Sequence, residues 1–120
     1  AALETWWQDD ALTREVERKG AYVRTRLERI AEREPDLHAC VRGRGFIQGL
    51  ECGDNPAAAA IAQRCYEQGL IVETAGMDDQ VLKFLAPLTI EDADLVWGLD
   101  VIASAARDVA RDRRGARAAA

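Results

Sequence analysis

The side chains with the clearest chemical potential lie in two stretches of the sequence. In the first, Arg42 and Arg44 flank Gly43, and a guanidinium offers a planar fork of donors that fits a carboxylate or a phosphate. In the second, Lys83 stands in the middle of the apolar run from Val81 to Leu85. Burying an unpaired ammonium is costly, so Lys83 either extends its amine to water or meets an anion. Both stretches are compatible with anion recognition, and solvent-exposed cations are the alternative for each.

Glu73 and Thr74 add an acid and a hydroxyl to the candidate site residues. No serine–histidine–aspartate set and no phosphate-binding glycine loop accompany them in the sequence. Gly43 and Gly45 are too close together for a dinucleotide-binding fingerprint, which also requires a helix where a strand is predicted here. The residues alone therefore indicate an anion-facing lysine but no complete catalytic set.

The cysteines and the histidine do not form a metal-binding pattern. The chain has three cysteines and one histidine, His38, with no Cys-x-x-Cys pair among them. Because a zinc site needs a closer pair of ligands, we expect no metal site. The cysteines are instead predicted to be small buried thiols in a reducing cytosol. They are Cys40, Cys52 and Cys65.

The composition is that of a globular domain. Of the 120 residues, 48% are hydrophobic and 31% are charged, which differs from the composition of disordered chains. No apolar run approaches the ~20 residues that cross a bilayer, so no membrane partner is expected. The net charge is −5 with acids and bases interspersed, which argues against a nucleic-acid partner.

Two predicted strands position Lys83. The apolar runs Leu70 to Glu73 and Val81 to Leu85 are separated by a polar link of turn-forming residues, a pattern typical of two strands. Alternation along the second strand places Lys83 on one face and its apolar neighbours Leu82 and Phe84 on the other.

The two arginines are predicted to lie at a bend between another pair of strands. Leu37 to Val41 and Phe46 to Glu51 have strand-like composition, and Gly43 and Gly45 interrupt them. Glycine permits positive φ or a bulge, so the chain can reverse direction there.

Three helices are predicted around these strands. The first runs from Ala2 to about Glu34 and ends before Pro35. The second begins at Asn55 as the N-cap residue, with Pro56 after it. The third opens at Thr89 with the capping pattern Thr89-x-x-Asp92.

Each helix has an apolar stripe at spacings of three and four residues. Gly20 lies on the stripe of the first helix and permits a close approach there. The stripe residues are Leu12, Val16, Val23, Leu27 and Ile30 in the first helix, Ala58, Ile61, Ala62 and Cys65 in the second, and Leu95, Leu99, Ile102, Ala106 and Val109 in the third.

The order helix, two strands, helix, two strands, helix predicts an α+β domain. Its small, mostly antiparallel sheet is expected to be covered on one face by helices. Residues 1–36 form the leading helix, residues 37–110 form the α+β domain, and residues 111–120 are expected to be a flexible tail. Trp6 and Trp7 are costly to expose, so they are buried either against a surface outside these 120 residues or within the domain.

Four segments together resemble a known family. VRGRGFIQGLEC, EQGLIVET, QVLKFLAPLTI and EDADLVWGLDVI occur in this order. They resemble the small C-terminal domain of class III aminotransferases, which are fold-type-I enzymes dependent on pyridoxal phosphate. Glu73-Thr74-x-Gly76 with Val81-x-Lys83 resembles, more narrowly, the diaminobutyrate–2-oxoglutarate aminotransferases, including those that begin ectoine synthesis.

The resemblance implies a function for the site residues. Many relatives have arginine where Lys83 stands, and the implied role is to contact a substrate carboxylate or to pair with an active-site glutamate. Arg42, Arg44 and Thr74 are implied to bind substrate beside it. The implied reaction moves an amino group between L-2,4-diaminobutyrate, or a similar diamine, and 2-oxoglutarate.

The resemblance also implies what lies outside these residues. The Schiff-base lysine and the residues that bind pyridoxal phosphate are expected in a large domain that would precede Ala1. This chain then has no catalytic and no cofactor-binding residue, and it is inactive by itself. The implied protein is a cytoplasmic homodimer or higher homo-oligomer. From the residues alone, a separate non-catalytic module for ligand binding or dimerisation is the alternative.

Overall fold

A computed structural model of the chain describes residues 2–45, 47–87 and 89–119, with the side chains from residue 11 onward. Within these ranges the predicted order of elements is confirmed, with a 3₁₀ turn added at Pro35–Leu37. The predictions about Phe46 and about burial of Trp6 and Trp7 fall on residues or side chains outside this description. The elements are α1 (Ala2–Arg33), β1 (Cys40–Arg44), β2 (Ile47–Glu51), α2 (Asn55–Glu67), β3 (Glu73–Ala75), β4 (Val81–Phe84) and α3 (Asp92–Ala119).

The four strands form one antiparallel sheet with the order β1-β2-β4-β3. One face packs on the helices through Leu50, Leu82 and Phe84, which are at most 8% exposed. The other face is open, and Ile47 on it is 68% exposed. The predicted α+β class, with helices covering one side of a small antiparallel sheet, is therefore confirmed.

The apolar stripes of the helices form most of the core as predicted, but Leu12 and Val16 of α1 are not part of it. In α1, Val23, Leu27 and Ile30 are at most 5% exposed, whereas Leu12 is 40% exposed. The prediction for Leu12 was wrong because α1 reaches the sheet and α3 only with residues further along the helix. Among the described residues, no helix is both long and apolar enough to cross a membrane.

Strand β3 starts later than the sequence indicates. We predicted a strand over Leu70 to Glu73, but the ladder with β4 begins at Glu73. The N–H of Leu70 donates to the carbonyl of Cys65 and so completes the end of α2 instead of a sheet. Similarly, β1 begins at Cys40, because Leu37 belongs to the buried 3₁₀ turn.

Two helices begin at residues other than the predicted ones. The N-cap of α2 is Asp54, whose carboxylate accepts a hydrogen bond from the Ala57 N–H at 2.9 Å. Asn55 is therefore the first helical residue and not the cap. Helix α3 begins at Asp92, because a turn in which the Ile90 N–H donates to the Pro87 carbonyl precedes it.

Two of the three cysteines are buried as predicted. Cys52 and Cys65 are at most 2% exposed, and burial raises the pKa of each thiol to about 11. Cys40 is exposed, so the prediction was wrong for this residue. It lies on the open face of β1, where no helix covers it.

Two polar side chains that the sequence did not single out join α1 to the rest of the domain. Lys19 is 7% exposed, and its ammonium donates to the carbonyl of Ile90 at 2.5 Å. Gln48 is 3% exposed, and its amide nitrogen donates to the carbonyls of Gly20 and Gly45. These bonds satisfy the Lys19 ammonium and the Gln48 amide nitrogen, which would be costly to bury without partners, whereas the Oε1 of Gln48 is buried with no hydrogen-bond partner among the described residues.

The C-terminal part of α3 is helical where we expected a flexible tail. Helix α3 continues to Ala119, and its arginines pair with acids of distant segments. Arg113 binds Asp54 at 2.6 Å, while Arg114 binds Asp36 at 2.9 Å. Arg117 also binds Asp36. These ion pairs attach residues 113–117 to the 3₁₀ turn and to the start of α2.

These ion pairs predict that the fold loses stability in acid. Hydrogen bonds from Arg114 and then Arg117 lower the pKa of Asp36, and a bond from Arg113 lowers the pKa of Asp54. A carboxylate with a lowered folded-state pKa stabilises the fold above about pH 4 and loses this contribution as the pH falls through the lower value. Urea denaturation should therefore give a smaller free energy of unfolding at pH 3 than at pH 6.

The double variant D36N/D54N should lose part of this pH dependence and should be less stable than the wild type at pH 6. The matched control is D78N, because Asp78 is an exposed aspartate outside these ion pairs. A pH dependence that is unchanged in D36N/D54N would contradict the assignment.

Candidate functional site

The candidate site residues lie in one row across the open face of the sheet. In the register of the three antiparallel pairs, Arg42 faces Gly49, Gly49 faces Lys83 and Lys83 faces Glu73. Residues opposite each other on neighbouring strands project to the same side. Arg42, Lys83 and Glu73 therefore share the face that the helices leave uncovered.

Lys83 has Gly49 beside it on one neighbouring strand and Glu73 on the other. It is half-buried, and within the described part of the chain it makes no hydrogen bond and no ion pair, even with Glu73. Its neighbour on β2 is Gly49, which has no side chain to cover the amine. Lys83 is thus a cation near the centre of a sheet face, and its side chain has no polar partner among the residues that the structure describes.

Arg42 already has an internal partner. Its Nε donates to the Oε2 of Glu51 at 2.6 Å, and this bond lowers the pKa of Glu51. The charge of Arg42 is therefore largely compensated within the chain. Arg44 is exposed near the turn of the β1–β2 hairpin and has no ion pair among the described residues.

Gly43 and Gly45, each of which follows one of these arginines, have the backbone conformation that the sequence predicts. Gly43 has φ of 101° and Gly45 has φ of 56°, which a residue with a Cβ rarely adopts. The predicted bend at Arg42 to Gly45 was wrong in its bounds, because Arg42, Gly43 and Arg44 are paired residues of β1 and the chain reverses between Arg44 and its partner Ile47. Arg42 and Arg44 lie on the open face of this strand.

Thr74 does not join this group. It pairs with Leu82, whose side chain lies in the core. Adjacent residues of a strand point to opposite faces, so Thr74 faces the helices while Glu73 and Lys83 face away. We therefore leave Thr74 out of the site.

A groove of about 380 Å³ borders Lys83 and Glu73. Its walls are largely apolar and include Ile71, Leu85 and Trp97, which are 79%, 56% and 47% exposed. Trp97 was not among the predicted site residues, although a tryptophan off the apolar stripe of α3 was a usable signal. Within the described ranges, no cluster of histidine, cysteine, aspartate and glutamate side chains could hold a metal ion.

The family comparison agrees with the fold and the motifs. The model of the family described as aminotransferase class-III matches residues 1–106. This chain belongs to the class-III aminotransferase family. The resemblance of the RGRG, KFLAPLTI and EDADLVWGLDVI segments to this family is therefore confirmed.

The relatives of this class-III aminotransferase chain include diaminobutyrate–2-oxoglutarate transaminases. The protein of that name from Bordetella parapertussis is 45% identical over 96% of this chain and 27% of its own length. The one from Halomonas elongata is 43% identical over 85% of the chain and 25% of its own length. The chain thus spans about a quarter of the length of these relatives.

A solved structure shows the same fold. The lysine aminotransferase from M. tuberculosis in the internal aldimine form superposes with a TM-score of 0.75. It is 24% identical in sequence over 85% of this chain and 23% of the other. In that protein, the region with the same helix-covered antiparallel sheet makes up 23% of the chain.

Proposed function

We propose that this chain is the small domain of a transaminase that exchanges an amino group between L-2,4-diaminobutyrate, or a similar diamine, and 2-oxoglutarate. The products would be aspartate semialdehyde and glutamate, and the reaction would belong to ectoine synthesis in the cytoplasm. The names of the relatives support this choice of substrates. The observation that carries the proposal is the uncompensated Lys83 on the open sheet face, in the register Arg42–Gly49–Lys83–Glu73.

In this proposal Lys83 binds a carboxylate of the substrate. Its amine is half-buried and has no partner among the described residues, and a carboxylate would supply one. Arg44 adds a second positive charge on the same face. The hydrogen bond from Arg42 to Glu51 holds the Arg42 side chain at one edge of the site. The apolar groove beside Lys83 would contact the methylene groups of the substrate and exclude water from it.

Pyridoxal phosphate would supply the electron sink for the reaction, but the described residues of this chain do not fit it. Its two lysines are unsuited to hold the cofactor, because Lys19 is buried against the Ile90 carbonyl and Lys83 lies on an open strand face. Helix N-termini are the usual phosphate sites. Here Asp54 caps α2, and α3 starts with Asp92 and Asp94.

We therefore propose that a large N-terminal domain holds the cofactor and covers the open sheet face, and that the complete enzyme is a homodimer or larger homo-oligomer. Exposed apolar residues support this proposal, because large apolar surfaces mark interfaces. Ile47, Ile71, Met77 and Leu85 are each more than half exposed. The separate chain would then be inactive.

The test is the substitution K83M in the complete enzyme. A charge-assisted hydrogen bond contributes roughly 1.5–3 kcal/mol, so its loss should raise the KM for 2-oxoglutarate by about tenfold or more. Arginine keeps the positive charge, so K83R should stay within about threefold of the wild type. Steady-state kinetics with 2-oxoglutarate varied at saturating diamine would measure both effects.

The matched control is R111Q, which removes one positive charge at an exposed position of α3 far from the sheet face. It should leave the KM unchanged. An unchanged KM in K83M would remove Lys83 from the site, whereas absence of transaminase activity in the wild-type enzyme would refute the function itself.

A further inference from the structure

Helices α1 and α3 run side by side and are joined by a ladder of ion pairs. Arg18 binds Asp92 at 3.0 Å, and Arg26 binds Asp100 at 2.5 Å. Both pairs link residues that are 74 positions apart, so the two helices are parallel and stay in register. Each step of the ladder joins an arginine of α1 to an aspartate of α3.

The two pairs are eight residues apart along each helix, and seven residues beyond the second pair, about two further turns, both helices carry an arginine. The same offset places Arg33 opposite Arg107, where an aspartate would continue the pattern. Both side chains border a groove of about 300 Å³ between the helices. Neither makes an ion pair or a hydrogen bond among the described residues. Two guanidinium groups that border the same groove repel each other, and an anion bound in the groove would offset the repulsion.

A third free arginine borders the same groove. Arg29 lies one turn before Arg33 on α1 and makes no ion pair within the described ranges. Glu34 is the carboxylate that lines the groove, and it binds none of these arginines. The groove therefore carries a positive charge on a chain whose net charge is −5. We call the groove that Arg29, Arg33 and Arg107 border the arginine groove.

Part of the groove is rigid. Arg26 is 16% exposed and is fixed by Asp100 and by the hydroxyl of Tyr22, to which it donates at 2.8 Å. Its guanidinium also lies 5.7 Å from the centre of the Tyr22 ring. The floor is formed by Ile30 and Ala103, and the small side chain of Ala103 leaves the space open. The dipole of α1 favours a cation in its last turn, but it does not explain Arg107 in the middle of α3.

We propose that the arginine groove binds a small molecule that carries two adjacent phosphate groups. Three guanidinium forks match the several oxygens of a diphosphate, which a single carboxylate could not satisfy. A volume of about 300 Å³ lies at the lower end of the range for small-molecule sites. The groove lies between the helices and thus on the side of the domain away from Lys83, so the proposal does not depend on the transaminase function.

The experiment is calorimetric titration of pyrophosphate into the complete protein at low ionic strength, saturated with pyridoxal phosphate. One site per chain is expected. The double variant R33Q/R107Q should weaken binding by at least about tenfold, because it removes two charge-assisted contacts. The control R24Q/R111Q removes the same charge from the same helices, at arginines paired within their own helix. It should change the affinity by less than about twofold.

A second variant separates binding from folding. R107D would continue the ion-pair ladder opposite Arg33, so it should raise the thermal midpoint of unfolding while it abolishes pyrophosphate binding. Failure of the wild-type protein to bind pyrophosphate would overturn the proposal. Equal weakening in R33Q/R107Q and R24Q/R111Q would also overturn it, since net charge alone would then explain the binding.

Discussion

The substitution G43A is expected to destabilise the chain by roughly 3 kcal/mol or more. Gly43 has φ of 101°, and an added Cβ would overlap the carbonyl oxygen of Ile47 and lie 2.9 Å from the Cα of Gln48. These are backbone atoms of the paired strand β2, so the overlap can be removed only if strands β1 and β2 move apart. Urea denaturation monitored by circular dichroism would measure the loss.

The control for this prediction is G69A. Gly69 also has a positive φ, of 91°, but an added Cβ would meet no atom within 4 Å. Its substitution should cost only the conformational strain of about 1–2 kcal/mol. If the two variants were equally destabilised, the contact with β2 would not be the cause. Because Gly43 lies between Arg42 and Arg44, G43A should also displace both arginines from the open face.

The substitution G20A is expected to destabilise the chain by about 1–3 kcal/mol, although alanine favours helices more than glycine does. An added Cβ on Gly20 would lie 2.7 Å from the carbonyl oxygen of Gly45 and 3.1 Å from its Cα. The contact joins helix α1 to the backbone of a turn, so no side-chain rotation can remove it. The free energy of unfolding from urea denaturation is again the measurement.

The matched control is G115A in α3. Gly115 is also a helical glycine, but no atom lies within 4 Å of the position of its Cβ. Alanine there should stabilise the chain by about 0.5–1 kcal/mol. The two glycine-to-alanine changes should thus have opposite signs. Stabilisation by G20A would show that α1 does not pack against the hairpin turn.

Local patterns made most of the fold predictable. Some patterns depend only on residues close together in sequence and can be recognised from the sequence alone. They include the apolar spacing of Val23, Leu27 and Ile30 and the alternation around Lys83. The glycines at the hairpin were predictable for the same reason. Element ends were not, because Asp54 and Asn55 are both good N-cap residues and only the folded chain selects between them.

The site was predictable only in part. Strand alternation placed Lys83 on the face opposite Leu82 and Phe84, but the row that joins it to Arg42 and Glu73 depends on strand register. Register is set by pairing between distant segments and by turn geometry. Thr74 was misplaced for this reason, since one residue decides which face a side chain occupies. The burial of Lys19 was not predictable either, because its partner is the carbonyl of Ile90.

The amide of Gln48 has a mechanical consequence. It binds the carbonyl of Gly20 in α1 and the carbonyl of Gly45 in the hairpin turn, while Lys19 binds the segment that leads into α3. Two adjacent residues of α1, Lys19 and Gly20, thereby bind the segment before α3 and the sheet. Because Gln48 lies in β2 next to Gly49, the same strand that contacts Lys83 is thereby joined directly to α1.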